Sequence, residues 1–118
     1  MITIDNSEPV DIVRMLEPVI PVHIRALNQE RWADYKWEGE SVSHWPKHDG
    51  TYHCERKTWT DLAGGVEEIE NQLREQREHH PQSLHRLIIE GAIEPHPMGV
   101  LVYVRSSGKS VMVPRQLG

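Results

Sequence analysis

The chain has little of what marks secreted or membrane proteins. A single cysteine, Cys54, in 118 residues excludes an internal disulfide framework and is typical of a reducing compartment. No apolar run approaches the roughly 20 residues that a membrane-spanning helix needs. The segment from Met1 to Asp5 lacks the basic region and long apolar stretch of a signal peptide. These absences predict a cytoplasmic protein that does not enter a membrane.

The chain also lacks an excess of basic charge. Its formal net charge is −5, which counts modestly against nucleic-acid binding because such proteins usually present a basic face. Carboxylates that hold cations would offset part of this negative charge. Hydrophobic residues make up 37% and charged residues 26%, which is typical of a globular protein. The length predicts one domain spanning residues 1–118.

The first half of the chain predicts strands around one helix. Ile2-Thr3-Ile4 predicts a first strand that ends at Asp5. Pro9 predicts the first turn of a helix, which Pro18 and Pro21 end. Three residues form the apolar stripe of this helix: Val10, Val13 and Leu16. The alternating segment Val22–Leu27 predicts a second strand, and a third is marked by Trp32, Tyr35 and Trp37.

The second half predicts a hairpin, a helix and further strands. Residues 38–51 are polar and contain Asp49-Gly50, a hairpin signal, before a strand at Tyr52–Thr58. Thr60-Asp61 predicts a cap for a helix whose inner face carries Val66, Ile69, Leu73 and Gln76. The later strand candidates are the apolar run Leu87-Ile88-Ile89, which we expect to be buried in the sheet, then Gly99–Arg105 and Val111-Met112-Val113. The order predicts an α/β fold with a mixed central β-sheet flanked by helices.

Glu55-Arg56-Lys57, followed after three residues by Asp61, is the segment that most suggests chemistry. Residues two apart on a strand point to the same face, so Glu55 and Lys57 share one side. A carboxylate and an ammonium on one face can hold a divalent cation and a water beside a phosphate. Asp61 is equally well explained as a helix cap.

Four segments in a fixed order resemble the XPF-type nuclease domain of the PD-(D/E)XK superfamily. They are Asp5-Asn6-Ser7-Glu8, Ala33-Asp34-Tyr35, Glu55-Arg56-Lys57-Thr58-Trp59-Thr60-Asp61 and Leu87-Ile88-Ile89-Glu90-Gly91. The family shows D-x-R-E, G-D-Y, E-R-K-x-x-x-D and an apolar run ending in Glu-Gly at the corresponding places. The resemblance covers residues 2–91 and implies a minimal, phage- or mobile-element-like version that lacks the family's C-terminal helices.

The resemblance implies a restriction-endonuclease-like fold and a Mg²⁺- or Mn²⁺-dependent endonuclease. Asp34, Glu55 and Asp5 would bind metal, Glu8 would stand nearby, and Lys57 would orient or deprotonate the attacking water. Arg56 and Asp61 would order the site. The implied substrate is branched or flap DNA in repair or recombination. The implied protein is a homodimer or heterodimer, cytoplasmic or nucleoid-associated.

Three departures from the family pattern leave alternatives open. Ser7 replaces the family's Arg, and Ala33 replaces its Gly. The segment between Asp34 and Glu55 is longer than in the family, which makes Asp49 a rival upstream ligand. The alternative function is a catalytically inactive nuclease fold that serves in dimerisation or DNA docking.

Histidine and tryptophan are the remaining groups with possible chemistry. The eight His residues show no paired metal-ligand spacing, so we expect them at the surface rather than around zinc. Four Trp rings either stack on exposed bases or pack in the protein: Trp32, Trp37, Trp45 and Trp59.

Overall fold

The computed structural model describes residues 1–39, 48–103 and 110–114. Within these residues, eight strands, three α-helices and one 3-10 helix follow one another in the chain. The first part runs β1 (Ile2–Asp5), α1 (Val10–Leu16), β2 (Val22–Arg25), the 3-10 helix (Leu27–Glu30), β3 (Tyr35–Glu38) and β4 (Thr51–Thr58). The second part runs α2 (Trp59–Gly64), α3 (Val66–His79), β5 (Leu84–Glu90), β6 (Ala92–His96), β7 (Gly99–Tyr103) and β8 (Ser110–Pro114).

Five strands form a mixed sheet in the order β2-β1-β3-β4-β5. Strand β1 pairs with β2 in parallel and with β3 antiparallel, and β3 pairs antiparallel with β4. The parallel pair follows from α1, because a helix between two strands allows the chain to return in the same direction. The predicted α/β class with a mixed central sheet is therefore confirmed.

The chain divides into two compact units. The first contains Met1–Glu55 and Asn71–Leu87, and the second contains Arg56–Glu70 and Ile88–Gly118. Strands β6, β7 and β8 form an antiparallel three-stranded sheet within the second unit.

One face of the sheet in the first unit carries the apolar core. Ile4, Tyr35 and Cys54 lie opposite one another on β1, β3 and β4, and each is buried. Six partly buried residues pack around them: Ile2, Ile12, Val13, Leu16, Val22 and Trp37. Three of these six, Ile12, Val13 and Leu16, lie on α1 and turn it towards this face. The predicted apolar stripe is therefore correct for Val13 and Leu16 but wrong for Val10, which is 63% exposed.

The backbone at the base of the β3–β4 connection requires a glycine at position 50. The N–H of Gly39 donates to the carbonyl of Gly50 at 2.8 Å. Gly50 has a φ of +89°, and an added Cβ would lie 2.6 Å from the Gly39 carbonyl oxygen. A side chain at this position would therefore strain the backbone and also clash. The predicted hairpin tip includes residues 40–47, which lie outside the described residues.

Three local predictions are wrong. The helix cap is Thr58 rather than Thr60-Asp61, and the predicted single helix is broken after Gly64, where two adjacent glycines lower helix propensity. The run Leu87-Ile88 is exposed, at 38% and 55%, because β5 is the last strand of the sheet. None of the helices in the described part of the chain combines the length and apolar character that crossing a membrane requires.

Candidate active site

Three buried acidic residues form one row across the face opposite the core. Ile4 pairs with Tyr35, and Tyr35 pairs with Cys54. Continuing both registers by one residue places Asp5 opposite Asp34 and Asp34 opposite Glu55. The N–H of Asp5 donates to the carbonyl of Asp34 at 2.7 Å, which agrees with this continuation. Opposite residues point to the same face of a sheet, so these three, called here the acidic row, share one side.

The acidic row is almost fully shielded from water. The exposed fractions of Asp5, Asp34 and Glu55 are 3%, 6% and 2%. Buried carboxyl groups require hydrogen-bond partners, because an unsatisfied one costs several kcal/mol (roughly 2–7). The chain supplies those partners from the 3-10 helix and from α3.

Asp5 is held by its own loop and by the 3-10 helix. Its carboxylate accepts from the N–H of Asn28 at 2.9 Å and from the N–H of Ser7 at 3.1 Å. The hydroxyl of Ser7 donates to the same carboxylate. Burial opposes ionisation, but the bonds from Ser7 and Asn28 outweigh it and lower the pKa of Asp5. Ser7 stands where the XPF-type pattern has Arg, and it stabilises Asp5 directly.

Asn28 connects two members of the acidic row. Its backbone N–H bonds Asp5, while its side-chain amide donates to the Asp34 carboxylate at 3.3 Å and to the Trp32 carbonyl at 3.1 Å. One residue of the 3-10 helix therefore fixes the distance between the two aspartates. Nothing in the sequence around Asn28, which is typical of a turn, indicates this role.

Two side-chain amides from α3 donate hydrogen bonds to the Glu55 carboxylate. Gln72 Nε2 donates to Glu55 Oε1 at 3.0 Å, and Gln76 Nε2 donates to Glu55 Oε2 at 2.9 Å. The two glutamines are four residues apart and so lie on one face of the helix. The i, i+4 spacing of the two glutamines is visible in the sequence, but the sequence does not show that they bond to Glu55.

The other predicted site residues lie in three places. Glu8 is half-buried, just before α1, and its N–H donates to the Asp5 carbonyl at 3.0 Å. Lys57 is half-buried and lies two residues beyond Glu55 on β4, within the second unit. Arg56 forms an ion pair with Glu90 on β5 at 2.9 Å.

Asp61 caps α2. Its carboxylate accepts from the N–H of Thr58 at 3.0 Å, and its own N–H donates to the Thr58 hydroxyl at 3.1 Å. This capping box satisfies backbone groups at the helix start. The hydrogen bond from the Thr58 backbone is the main reason that the pKa of Asp61 is lowered.

Asp49 is poorly placed to replace Asp34. It is exposed, lies before the start of β4, and its carboxylate accepts from the N–H of Thr51 at 2.8 Å. Thr51 and Glu55 alone are separated by four strand residues, or about 13 Å. Asp34 lies directly across from Glu55.

A cluster of aromatic rings lies beside the acidic row. His53, two residues before Glu55, is fully buried, which contradicts the expectation of surface histidines. Its ring stacks on His85 with centroids 4.3 Å apart, and His80 stacks on Trp32 with centroids 3.4 Å apart. On the opposite, apolar face of the sheet, Trp37 stacks on Tyr52, so Trp32 and Trp37 both pack within the protein. Trp45 and His44 lie outside the described residues.

The hydrogen bonds of His53 fix its tautomer. The N–H of Ala33 donates to His53 Nδ1 at 3.2 Å, so Nδ1 has no proton. His53 Nε2 then donates to the Ser83 hydroxyl at 2.8 Å, and that hydroxyl donates to the His80 carbonyl at 2.7 Å. Burial is the main cause that lowers the pKa of His53 to about 3. His53 is therefore a neutral support beneath Ala33-Asp34.

The donors of the acidic row suit a hard divalent cation in type. Within the described residues, no group of three or more His, Cys, Asp or Glu side chains is arranged to hold a metal ion. Mg²⁺ is usually held by only one or two carboxylates and keeps several waters. Asp34 and Glu55, as opposite residues on neighbouring strands, place two carboxylates on one face of the sheet. In donor type the row therefore fits a site of two carboxylates, whereas the predicted three-ligand group is not found among the described residues.

Comparison of the chain with protein-family models, with curated proteins and with solved structures finds no match.

Proposed function

We propose that this chain is a Mg²⁺- or Mn²⁺-dependent endonuclease that hydrolyses phosphodiester bonds in DNA, with branched or flap DNA as its substrate. The observation that carries the proposal is the acidic row, in which three residues distant in sequence meet on one sheet face. Their order and types match the XPF-type pattern, which adds a restriction-endonuclease-like fold to the proposal. Burying acidic residues costs free energy, and the burial of three side by side supports a functional role for the acidic row.

Each residue has a distinct part in the proposed reaction. Asp34 and Glu55 would hold the cation, which when bound supplies charge relief at the phosphate and lowers the pKa of water. Asp5 would fix the position of Asp34 through their shared partner Asn28. Water attacks phosphorus, the bond to the leaving oxygen breaks, and the proton lost by the water is balanced by one delivered to that oxygen.

Lys57 is the proposed source of positive charge beside the phosphate. It follows Glu55 by two residues on β4, and strand alternation carries alternate side chains to one side. An ammonium at that point would orient the attacking water or offset charge that develops on the phosphate. Glu8 would hold water close to Asp5.

The main test is cleavage of a labelled flap DNA in Mg²⁺ or Mn²⁺. We expect Asp34→Asn, Glu55→Gln and Lys57→Ala each to reduce cleavage by about 10²-fold or more, as loss of a transition-state contact commonly does. The matched control is Asp11→Asn, an exposed carboxylate on α1, which should cleave like the wild type. Equal activity of Asp34→Asn and Asp11→Asn would overturn the proposal.

The second candidate is an inactive nuclease fold that docks DNA or dimerises. The hydrogen bonds favour it, because Asn28, Gln72 and Gln76 already satisfy carboxylate oxygens in the acidic row. Calorimetric titration with Mn²⁺ separates the two candidates. Binding lost in Asp34→Asn favours the enzyme, whereas no binding to the wild type, together with no cleavage, favours the scaffold.

A further inference from the structure

A groove of about 450 Å³ lies beside the acidic row, in the first unit. Its lining includes Thr3 on β1, which pairs with His23 on β2 and with Lys36 on β3. Arg25, which also lines the groove, pairs with Asp5. All of the lining residues except Trp37 occupy alternate positions that share a face with the acidic row. The groove and the row therefore lie next to each other on one face of the sheet.

The groove differs in charge from the rest of the chain. Arg25 and Lys36 supply two cations and His23 supplies ring nitrogens, against a single acidic residue, Glu38. The whole chain, by contrast, has a formal net charge of −5. Cationic and N–H donor side chains are the groups that proteins use to bind phosphate oxygens.

Lys36 is held in place before any ligand arrives. Its ammonium lies 4.8 Å above the Trp32 ring, and that ring stacks on His80 with an interplanar angle of 10°. The side chain is half-buried, so less conformational freedom remains to be lost when it binds an anion. Arg25 is positioned differently, by an exposed ion pair with Glu30.

We propose that this groove binds the phosphodiester backbone of the substrate strand and leads it to the acidic row. The inference rests on the proposed nuclease function and assigns its substrate contacts to Arg25, Lys36 and His23. Two strand residues, or about 7 Å, separate Thr3 from Asp5. Successive phosphates of one strand are about 3.4 Å apart along the axis of a duplex, so about 7 Å corresponds to two nucleotide steps. A strand bound at Lys36 thus reaches Asp34 within two nucleotides.

The test measures binding without hydrolysis. Anisotropy of a fluorescent single-stranded oligonucleotide in EDTA gives the Kd at several KCl concentrations. Arg25→Ala and Lys36→Ala should each weaken binding several-fold and lower the slope of log Kd against log [KCl] by about 0.7, the value for one phosphate contact on a single strand. Lys36→Arg should restore the slope. The matched control is Arg14→Ala, an exposed cation on α1, which packs on the opposite face.

A variant with the opposite expected effect sharpens the test. Glu30→Gln removes the carboxylate that pairs with Arg25, and we expect it to tighten binding about two- to three-fold because Arg25 becomes available to phosphate. Glu17→Gln removes the same charge at an exposed position directly after α1, and it should have a smaller effect on the Kd. Net charge alone explains binding if Glu30→Gln and Glu17→Gln change the Kd equally and the three cation-to-alanine variants also change it equally. The groove then has no special role.

The two proposals can fail separately. If the wild type does not cleave in Mg²⁺ but Arg25 and Lys36 variants lose salt slope, the nuclease proposal fails and the groove stands. If it cleaves and those variants bind like Arg14→Ala, the groove proposal fails. Absence of measurable binding in EDTA at low salt also overturns the groove. Circular dichroism checks folding, and if Lys36→Ala unfolds, Lys36→Gln with Arg25→Ala carries the test.

Discussion

On one face of the sheet, Ile4, Tyr35 and Cys54 pack together beneath α1, whereas the residue adjacent to each of them, Asp5, Asp34 or Glu55, lies on the other face. Both sets of three residues are buried, yet they are stabilised differently. The apolar face gains from removing hydrocarbon from water, in proportion to area. The polar face depends on individual hydrogen bonds, each of which must be present to offset desolvation. Alternation along three strands thus separates the residues that hold the fold from those available for chemistry.

The largest expected effect on stability is on the apolar face. Ile4→Ala should lower the free energy of unfolding by about 2–5 kcal/mol, because Ile4 is fully buried and truncation leaves a cavity. Its parallel partner Ile24 is 46% exposed, so Ile24→Ala should cost less than about 1 kcal/mol. Urea unfolding of both variants measures the contrast. Equal losses would mean that the core is not centred on Ile4.

The next effect is a pH dependence that belongs to the polar face. The folded-state pKa of His53 is lowered to about 3, chiefly by burial, and that of His85 to about 4. Unfolded histidine titrates near 6.5. The unfolded chain therefore binds more protons below pH 6.5, so stability is full above that pH and falls as the pH drops towards 3–4. At pH 5 the loss from His53 alone is about 2 kcal/mol.

Urea unfolding at pH 7, 6 and 5 measures this dependence. His53→Gln should be less stable at pH 7, because the bonds to Ala33 and Ser83 are lost, and its stability should change less between pH 7 and 5. His79→Gln, at an exposed histidine, should retain the wild-type slope. An unchanged slope in His53→Gln would contradict the assignment of a neutral, buried His53.

The smallest effect separates a backbone bond from a side-chain bond. Asn28→Ala should lower the free energy of unfolding by about 1 kcal/mol, because the amide bonds to Trp32 and Asp34 are lost while the N–H still bonds Asp5. Gln29→Ala, at the exposed neighbour, should be nearly neutral. A loss above about 3 kcal/mol would show that Asn28 supports more than these bonds.

The sequence predicted the strands of the sheet well because their signal is local. A short apolar run indicated β1, apolar alternation indicated β2, and aromatic residues indicated β3, while β4 was predicted at Tyr52–Thr58, around the Glu55 segment. The exposure of Leu87 and Ile88 was missed, because alternation does not reveal that β5 is an edge strand. Strand β6, which contains Pro95, was not predicted at all.

The candidate site was predicted only in part, for a different reason. Asp5, Asp34 and Glu55 were chosen from a family pattern, and the sheet register brings them into one row. Their hydrogen-bond partners were not found, because those partners lie far away in sequence. Asn28 is 23 residues from Asp5, and Gln72 and Gln76 are 17 and 21 residues from Glu55. No local pattern indicates which carboxylate an amide will meet.

The backbone of β1 offers a way to observe the sheet opening. The Asp5 amide proton is donated to the Asp34 carbonyl, while the Asn6 amide proton is donated to the Arg25 carbonyl on β2. Exchange of the first for deuterium requires the β3 side to part, and exchange of the second requires the β2 side to part. The rates of deuterium uptake at Asp5 and Asn6 therefore report separately how often β1 detaches from β3 and from β2, and no substitution is needed.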